Sequence, residues 1–203
     1  MSRLRIGACG LALVLGLALS LGGCVTAPPR PTPAVSPWEQ SRSRLQELTH
    51  FELKGRVGVV AGNDGFSAAL EWQQQGAHST VALNGPLGIG GLQIVRDGPS
   101  LTVRNSRGQL LDSEAARAEL ASKLGFEPPL DSLRYWLVGV PDPAQPAQEL
   151  LDGADQRLLA LDQDGWHIVY GAYVPGAGGW LPQKLTLDRG TVRVRVVVES
   201  WQA

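Results

Sequence analysis

Near the end of this chain Val192, Val194, Val196 and Val198 alternate with Arg193, Arg195 and Val197. A period of two sends successive side chains to opposite faces of a strand, so this segment has one oily face and one largely wet face. The pattern recurs upstream. Phe51, Leu53, Val57 and Val59 alternate with Glu52, Lys54 and Arg56, and Phe66, Ala68, Leu70 and Trp72 lead into the same pattern beside Glu71 and Gln73. Between these runs lies Gly62-Asn63-Asp64-Gly65, a strong turn signal. Ser79–Asn84, Gly91–Asp97, Leu101–Arg104, Arg157–Asp162, Trp166–Tyr173 and Lys184–Asp188 read as further strands. Turns at Asp97-Gly98-Pro99, Asp164-Gly165, Gly176–Gly179 and Arg189-Gly190 punctuate them. Short connections imply an antiparallel meander. About nine strands, each with one apolar face, must curl around something to keep that face dry.

Three short helices are available to fill the concave side. Ser36-Pro37 is an N-cap and first-turn pair, and Trp38, Leu45 and Leu48 fall on roughly one face of a helix over Trp38–Leu48. Asp112 caps a segment containing Ala115, Ala116, Ala118, Leu120, Ala121 and Leu124, ended by Gly125. Pro128-Pro129 separates it from Asp131–Val138, where Leu133, Trp136 and Leu137 form one apolar face, stopped by Gly139 and Pro141. The fold class expected is α+β, mainly β.

The front of the chain is of another kind. Arg3 and Arg5 form a short positive region, and the apolar run Leu11–Leu21 that follows is too short to span a bilayer. Leu21-Gly22-Gly23-Cys24 resembles the lipobox of bacterial lipoproteins. That resemblance implies cleavage before Cys24, an S-diacylglycerol on its thiol and an N-acyl group on its new amino end. An ordinary secretory signal and an uncleaved anchor are the alternatives. Val25 stands where an aspartate commonly holds lipoproteins in the inner membrane, so the outer membrane, facing the periplasm, is the expected location. The domain reading is a signal peptide at 1–23, a lipid-anchored tether at 24–37 and a single domain at 38–203. The tether carries Pro28, Pro29, Pro31, Pro33 and Pro37. At roughly 3.1 Å per residue in the polyproline form it reaches some ~40 Å.

Without the first 23 residues, 16 basic residues face 19 acidic ones, because only Arg3 and Arg5 are lost from the 18. A net charge of −3 excludes a strongly basic nucleic-acid binder. The 180 remaining residues make one domain with a sizeable core, and their single cysteine, once acylated, leaves no disulfide. His50, His78 and His167 lack metal-ligand spacing. No G-x-S-x-G and no G-x-x-x-x-G-K-[ST] occurs, and the glycine-rich Gly88-Ile89-Gly90-Gly91 fails the dinucleotide pattern at Gln93. Asp162 and Asp164 sit at a turn. The reading is of a protein that is not an enzyme and needs no cofactor or metal.

Four stretches taken together resemble one family, the outer-membrane lipoprotein receptor LolB. They are Ala69–Gln74 (ALEWQQ), Leu83–Gly88 (LNGPLG), Leu133–Pro141 (LRYWLVGVP) and Trp166–Tyr173 (WHIVYGAY). Their order, their spacing, the overall length and the lipobox all match, over about Trp38–Trp201. The resemblance implies an unclosed antiparallel β-barrel with short helices as a lid over an apolar cavity. It also implies a function: taking acylated client lipoproteins from the periplasmic carrier LolA and inserting them among outer-membrane lipids. A monomer is expected.

Within that reading the loop Gly85–Gly91 stands out. Pro86 sets a turn, and Leu87 sits among residues with almost no side chain. Leu87 either folds back into the core or forms an exposed apolar finger; the family resemblance implies the finger, which assists insertion into the membrane. Pro86 and Gly88 also match the family, and Ile89 adds a second apolar residue. Trp72, Leu133, Trp136, Leu137, Trp166 and Tyr170 are candidates for the acyl-cavity wall, although aromatics at strand and helix spacing are more often plain core; Leu133, Trp136 and Leu137 face the concave side in either role. A carrier of a free lipid or glycolipid, a structural lipoprotein without a cavity, and a hydrolase assembled only in space are the rival functions.

Overall fold

The computed structural model describes residues 36–85, 91–153 and 157–203. One compact unit spans Val35–Ala203 and holds the whole described core. It opens with helix α1 (Pro37–Gln46), started by a capping box in which the Glu39 amide donates to Ser36 Oγ at 3.1 Å and the Ser36 amide donates to Glu39 Oε2 at 2.8 Å. Six strands follow: β1 (His50–Ala61), β2 (Asp64–Gln75), β3 (His78–Asn84), β4 (Leu92–Asp97), β5 (Ser100–Arg104) and β6 (Leu110–Asp112). Then come helices α2 (Ser113–Leu124) and α3 (Leu130–Leu137). The chain closes with β7 (Ala147–Leu151), β8 (Leu158–Gln163), β9 (Trp166–Gly176), β10 (Gly179–Arg189) and β11 (Val192–Gln202).

All eleven strands form one sheet, ordered β6-β5-β4-β3-β2-β1-β11-β10-β9-β8-β7. Each pairing is antiparallel. Two meanders are thus joined by their first and last strands, β1 on β11. The outer strands β6 and β7 do not pair with each other, so the barrel is unclosed. In sequence, α2 and α3 lie between those two edges. The chain therefore passes from one edge to the other through its helices.

The alternation seen in the sequence becomes a single concave apolar face. Leu53, Val57 and Val59 of β1, Leu70 and Trp72 of β2, Ile168 of β9, Leu185 and Leu187 of β10, and Val194, Val196 and Val198 of β11 are all buried. Curvature comes from bulges. Lys54 pairs with Ser200 and Gly55 with Val198, leaving Glu199 unpaired. A side chain at Gly55 would place its Cβ 2.2 Å from the Val197 carbonyl oxygen, so only glycine fits this bend. Between β9 and β10 the register shifts twice near Pro182 and Lys184. Pro182 sits at that irregularity, where a proline is tolerated inside a sheet.

Two strands exceed the sequence reading, the short edges β6 and β7. Their side chains are mostly exposed, so they carry no strict apolar alternation. β10 also begins at Gly179, ahead of the expected Lys184, because Leu181 and Pro182 are buried in succession and break the period of two. The helices fall within a few residues of their expected bounds. Gly125 takes φ +78° and its amide donates to the Ala121 carbonyl, closing α2 as a left-handed cap. Asp112 occupies the N-cap position without a side-chain cap bond.

Candidate functional site

The site is the space between the concave face and its helical cover. The floor comes from five adjacent strands: Val57 and Val59, Leu70 and Trp72, Val81 and Leu83, Ile94, and Val194 and Val196. The ceiling comes from Leu124 at the end of α2, from Phe126 and Pro128 in the crossing, and from Leu130, Leu133 and Leu137 of α3. Every described lining residue is apolar. The remaining cavity measures about 80 Å³. A dry engineered cavity of about 150 Å³ accepts benzene, so this one holds no alkyl chain unless its cover shifts.

The aromatic candidates divide into two groups. Trp72, Leu133 and Leu137 line the cavity. Trp136, Trp166 and Tyr170 lie outside its lining and belong to the fastening of α3. Trp136 is fully buried and donates from Nε1 to Gln163 Oε1 at 2.7 Å. The same oxygen accepts the Asp142 amide at 2.9 Å, while Gln163 Nε2 donates to the carbonyls of Asp142 and Gln145, each at 2.9 Å. Ser132 Oγ donates to Asp142 Oδ2 at 2.8 Å, tying the start of α3 to the loop that follows it. Tyr170 donates from its hydroxyl to the Trp136 carbonyl at 3.1 Å. Burial holds the Tyr170 phenol well above its ordinary pKa, with the Tyr173 and Glu149 charges adding to the effect. Burial also raises Tyr173, against the opposing pull of Arg157.

Trp166 packs against Phe126 and Trp136, with ring centroids 5.6 and 6.3 Å away, and beneath the Arg189 guanidinium at 4.6 Å. Its buried Nε1 has no partner among the described residues. Gln163, Asp142 and Ser132 were not singled out from the sequence. Buried polar residues at two consecutive element ends are their only signal, and it is visible only once burial is known. Trp72 has its own partner, donating to Gln74 Oε1 at 3.1 Å.

The histidines stand apart from this space. His167 lies exposed against Asp162 at 2.6 Å, and His50 meets Thr49 at 3.0 Å. Among the described residues no group of three or more His, Cys, Asp or Glu converges, and no helix is long and apolar enough to cross a membrane. Cys24 and the loop residues Pro86, Leu87, Gly88 and Ile89 lie outside the described residues.

An open antiparallel sheet wrapped around an apolar space, with helices joining its two edges, defines a class of fold. A LolA superfamily protein from Nitrosomonas europaea has a similar fold, with a TM-score of 0.54 at 10% identity over 80% of this chain and 91% of that one. A DUF1329 family protein from Desulfovibrio piger gives 0.55 at 7% identity, over 81% and 90%. Within that class the family is settled by sequence. The model of outer membrane lipoprotein LolB matches residues 49–201. The outer-membrane lipoprotein LolB of Nitrosococcus oceani is 30% identical over 96% of this chain and 98% of its own length, and that of Pseudomonas aeruginosa 33% over 81% and 80%. The chain belongs to the LolB family.

Proposed function

We propose that this protein is a lipid-anchored acceptor of acylated lipoproteins at the outer membrane, facing the periplasm. It takes them from a LolA-type periplasmic carrier and releases their acyl chains into the bilayer, without covalent chemistry of its own. The observation that carries the reading is the cavity, whose lining is wholly apolar and whose ceiling is made of helices joining the two sheet edges. Family membership supports the membrane and the lipid anchor, which would sit on Cys24.

The energetics fit a hand-over between two apolar cavities. Exposing on the order of 40 acyl methylenes to water costs roughly 30 kcal/mol at about 0.8 kcal/mol each. Passage from one apolar space to another avoids most of that cost. Direction then needs only a modest difference in affinity. Trp72, Leu133 and Leu137 are the side chains of this site that would touch the chain. Leu87, flanked by Pro86, Gly88 and Ile89, would enter the bilayer during release.

The test mixes the unlipidated chain Val25–Ala203 with a carrier loaded with an acylated lipoprotein and follows the client by gel filtration. The client is expected to move to this protein, and a non-acylated client is not. A client that stays on a carrier competent with another acceptor would overturn the reading and favour carriage of a free lipid or glycolipid. Leu87→Glu is expected to accept the client normally and to fail in delivering it to liposomes.

A further inference from the structure

A second cavity of about 320 Å³ lies beside the first. It is lined by Phe66, Ser67 and Ala68 of β2, by Leu83, Gly85, Gly91 and Leu92, and by Ser106, Lys123 and Leu124. The two cavities have two wall residues in common, Leu83 and Leu124. Leu83 is on the sheet, and Leu124 is the last residue of α2. We propose that the outer cavity is the vestibule through which one alkyl chain of the client's lipid enters, and that Leu124 is the gate between vestibule and inner cavity. The proposal rests on the acyl-acceptor reading and adds to it a route and a gate.

Three observations carry it. First, volume: the inner cavity alone is too small for a chain, whereas the two joined reach about 400 Å³. That lies within the usual range of about 300–1,000 Å³ for a ligand site. Second, lining: of the ten described wall residues five carry apolar side chains and two are glycines, against Ser67, Ser106 and Lys123, so the wall suits a hydrocarbon chain better than a headgroup. Third, mechanics: α2 buries only Ala116, Leu120 and Leu124. Among the described residues its body is tied to the rest of the fold by a bond from Asn105 Nδ2 to Glu119 Oε1 at 3.2 Å and by an exposed ion pair from Arg117 to Glu127 at 3.6 Å. α3 is fastened through Ser132, Trp136 and Gln163, so the end of α2 is the part of the ceiling that yields.

Ala68 lines the vestibule and not the inner cavity, which makes it the test position. Binding of octanoate and hexadecanoate is measured by displacement of an apolar fluorophore from the unlipidated chain, whose compact unit contains the whole described core. Ala68→Phe is expected to weaken hexadecanoate by about tenfold and octanoate, whose shorter chain fills less of the vestibule, by about threefold. A folded variant that binds both acids as before, or loses both equally, would overturn the vestibule. Should Ala68→Phe not fold, Ala68→Leu and Leu124→Ala replace it. The first is expected to weaken hexadecanoate selectively, and the second to speed its association several-fold by removing the gate. An unchanged rate in Leu124→Ala contradicts the gate. A wild-type chain that binds neither acid overturns the acyl-acceptor reading as well, a result separable from failure of the vestibule alone.

Discussion

The two helices of the cover lie over the same sheet and are held in opposite ways. α3 is fastened by directional bonds from Trp136 and Ser132 to Gln163 and Asp142, with Tyr170 bonded to its carbonyl end. α2 rests on one alanine and two leucines, with a single bond from the buried Asn105 to Glu119 and an exposed ion pair from Arg117 to Glu127. Buried polar partners specify one geometry, since separating them leaves groups unsatisfied. Apolar contact is non-directional, and each leucine contributes only about 1.5–3 kcal/mol. On the proposed reading, the half held by directional bonds stays fixed and the other half gives way to an incoming chain.

Breaking the fixed half should have the largest effect. Gln163→Ala orphans Trp136 Nε1, the Asp142 amide and two carbonyls, and is expected to cost about 3–5 kcal/mol in urea denaturation. A loss under about 1 kcal/mol would remove the distinction between the helices.

Alkali attacks the same region. The pKa values of Tyr170 and Tyr173 are raised in the folded state, so their contribution is complete below the unfolded value of about 10 and is lost as pH climbs towards the folded values. Stability should fall by about 1.4 kcal/mol per pH unit for each tyrosine above that point, and Tyr170→Phe should remove one of the two contributions. Denaturation midpoints between neutral and strongly alkaline pH check this.

Two matched variants sharpen the account of the fastening. Trp136→Phe and Trp166→Phe remove the same ring volume, but only the Trp136 indole has a hydrogen-bond partner among the described residues. Trp136→Phe should therefore cost about 1–2 kcal/mol more in chemical denaturation. The smallest effect belongs to the yielding half. Glu119→Ala should cost less than about 1 kcal/mol globally while loosening α2.

How far the sequence reaches differs along the same line. The apolar alternation of β1, β2 and β11 and the helix ends at Ser36 and Gly125 were legible, because period and caps are local. β6 and β7 were not, since short exposed edge strands have no buried face to impose a period. The bulges opposite Gly55 and near Pro182 depend on pairing between strands far apart in the chain. Among the site residues, Trp72, Leu133 and Leu137 line the cavity, while Trp136, Trp166 and Tyr170 pack beside it. A strand or helix pattern places a side chain inward without saying whether it meets a space or a neighbour. The Gln163 network was invisible for a related reason. A glutamine at a strand end looks like surface until the loop carrying Asp142 folds onto it.

The central claim is that α2 yields to an acyl chain while α3 stays in place. Hydrogen exchange of the unlipidated chain, with and without a triacylated peptide, tests it directly. Free, the amides of Ser113–Leu124 should exchange at least about tenfold faster than those of Leu130–Leu137, and peptide binding should change α2 and the strands beneath it while leaving α3 unaltered. Joint exchange of the two helices, or no response of α2 to the acylated peptide, would contradict the account.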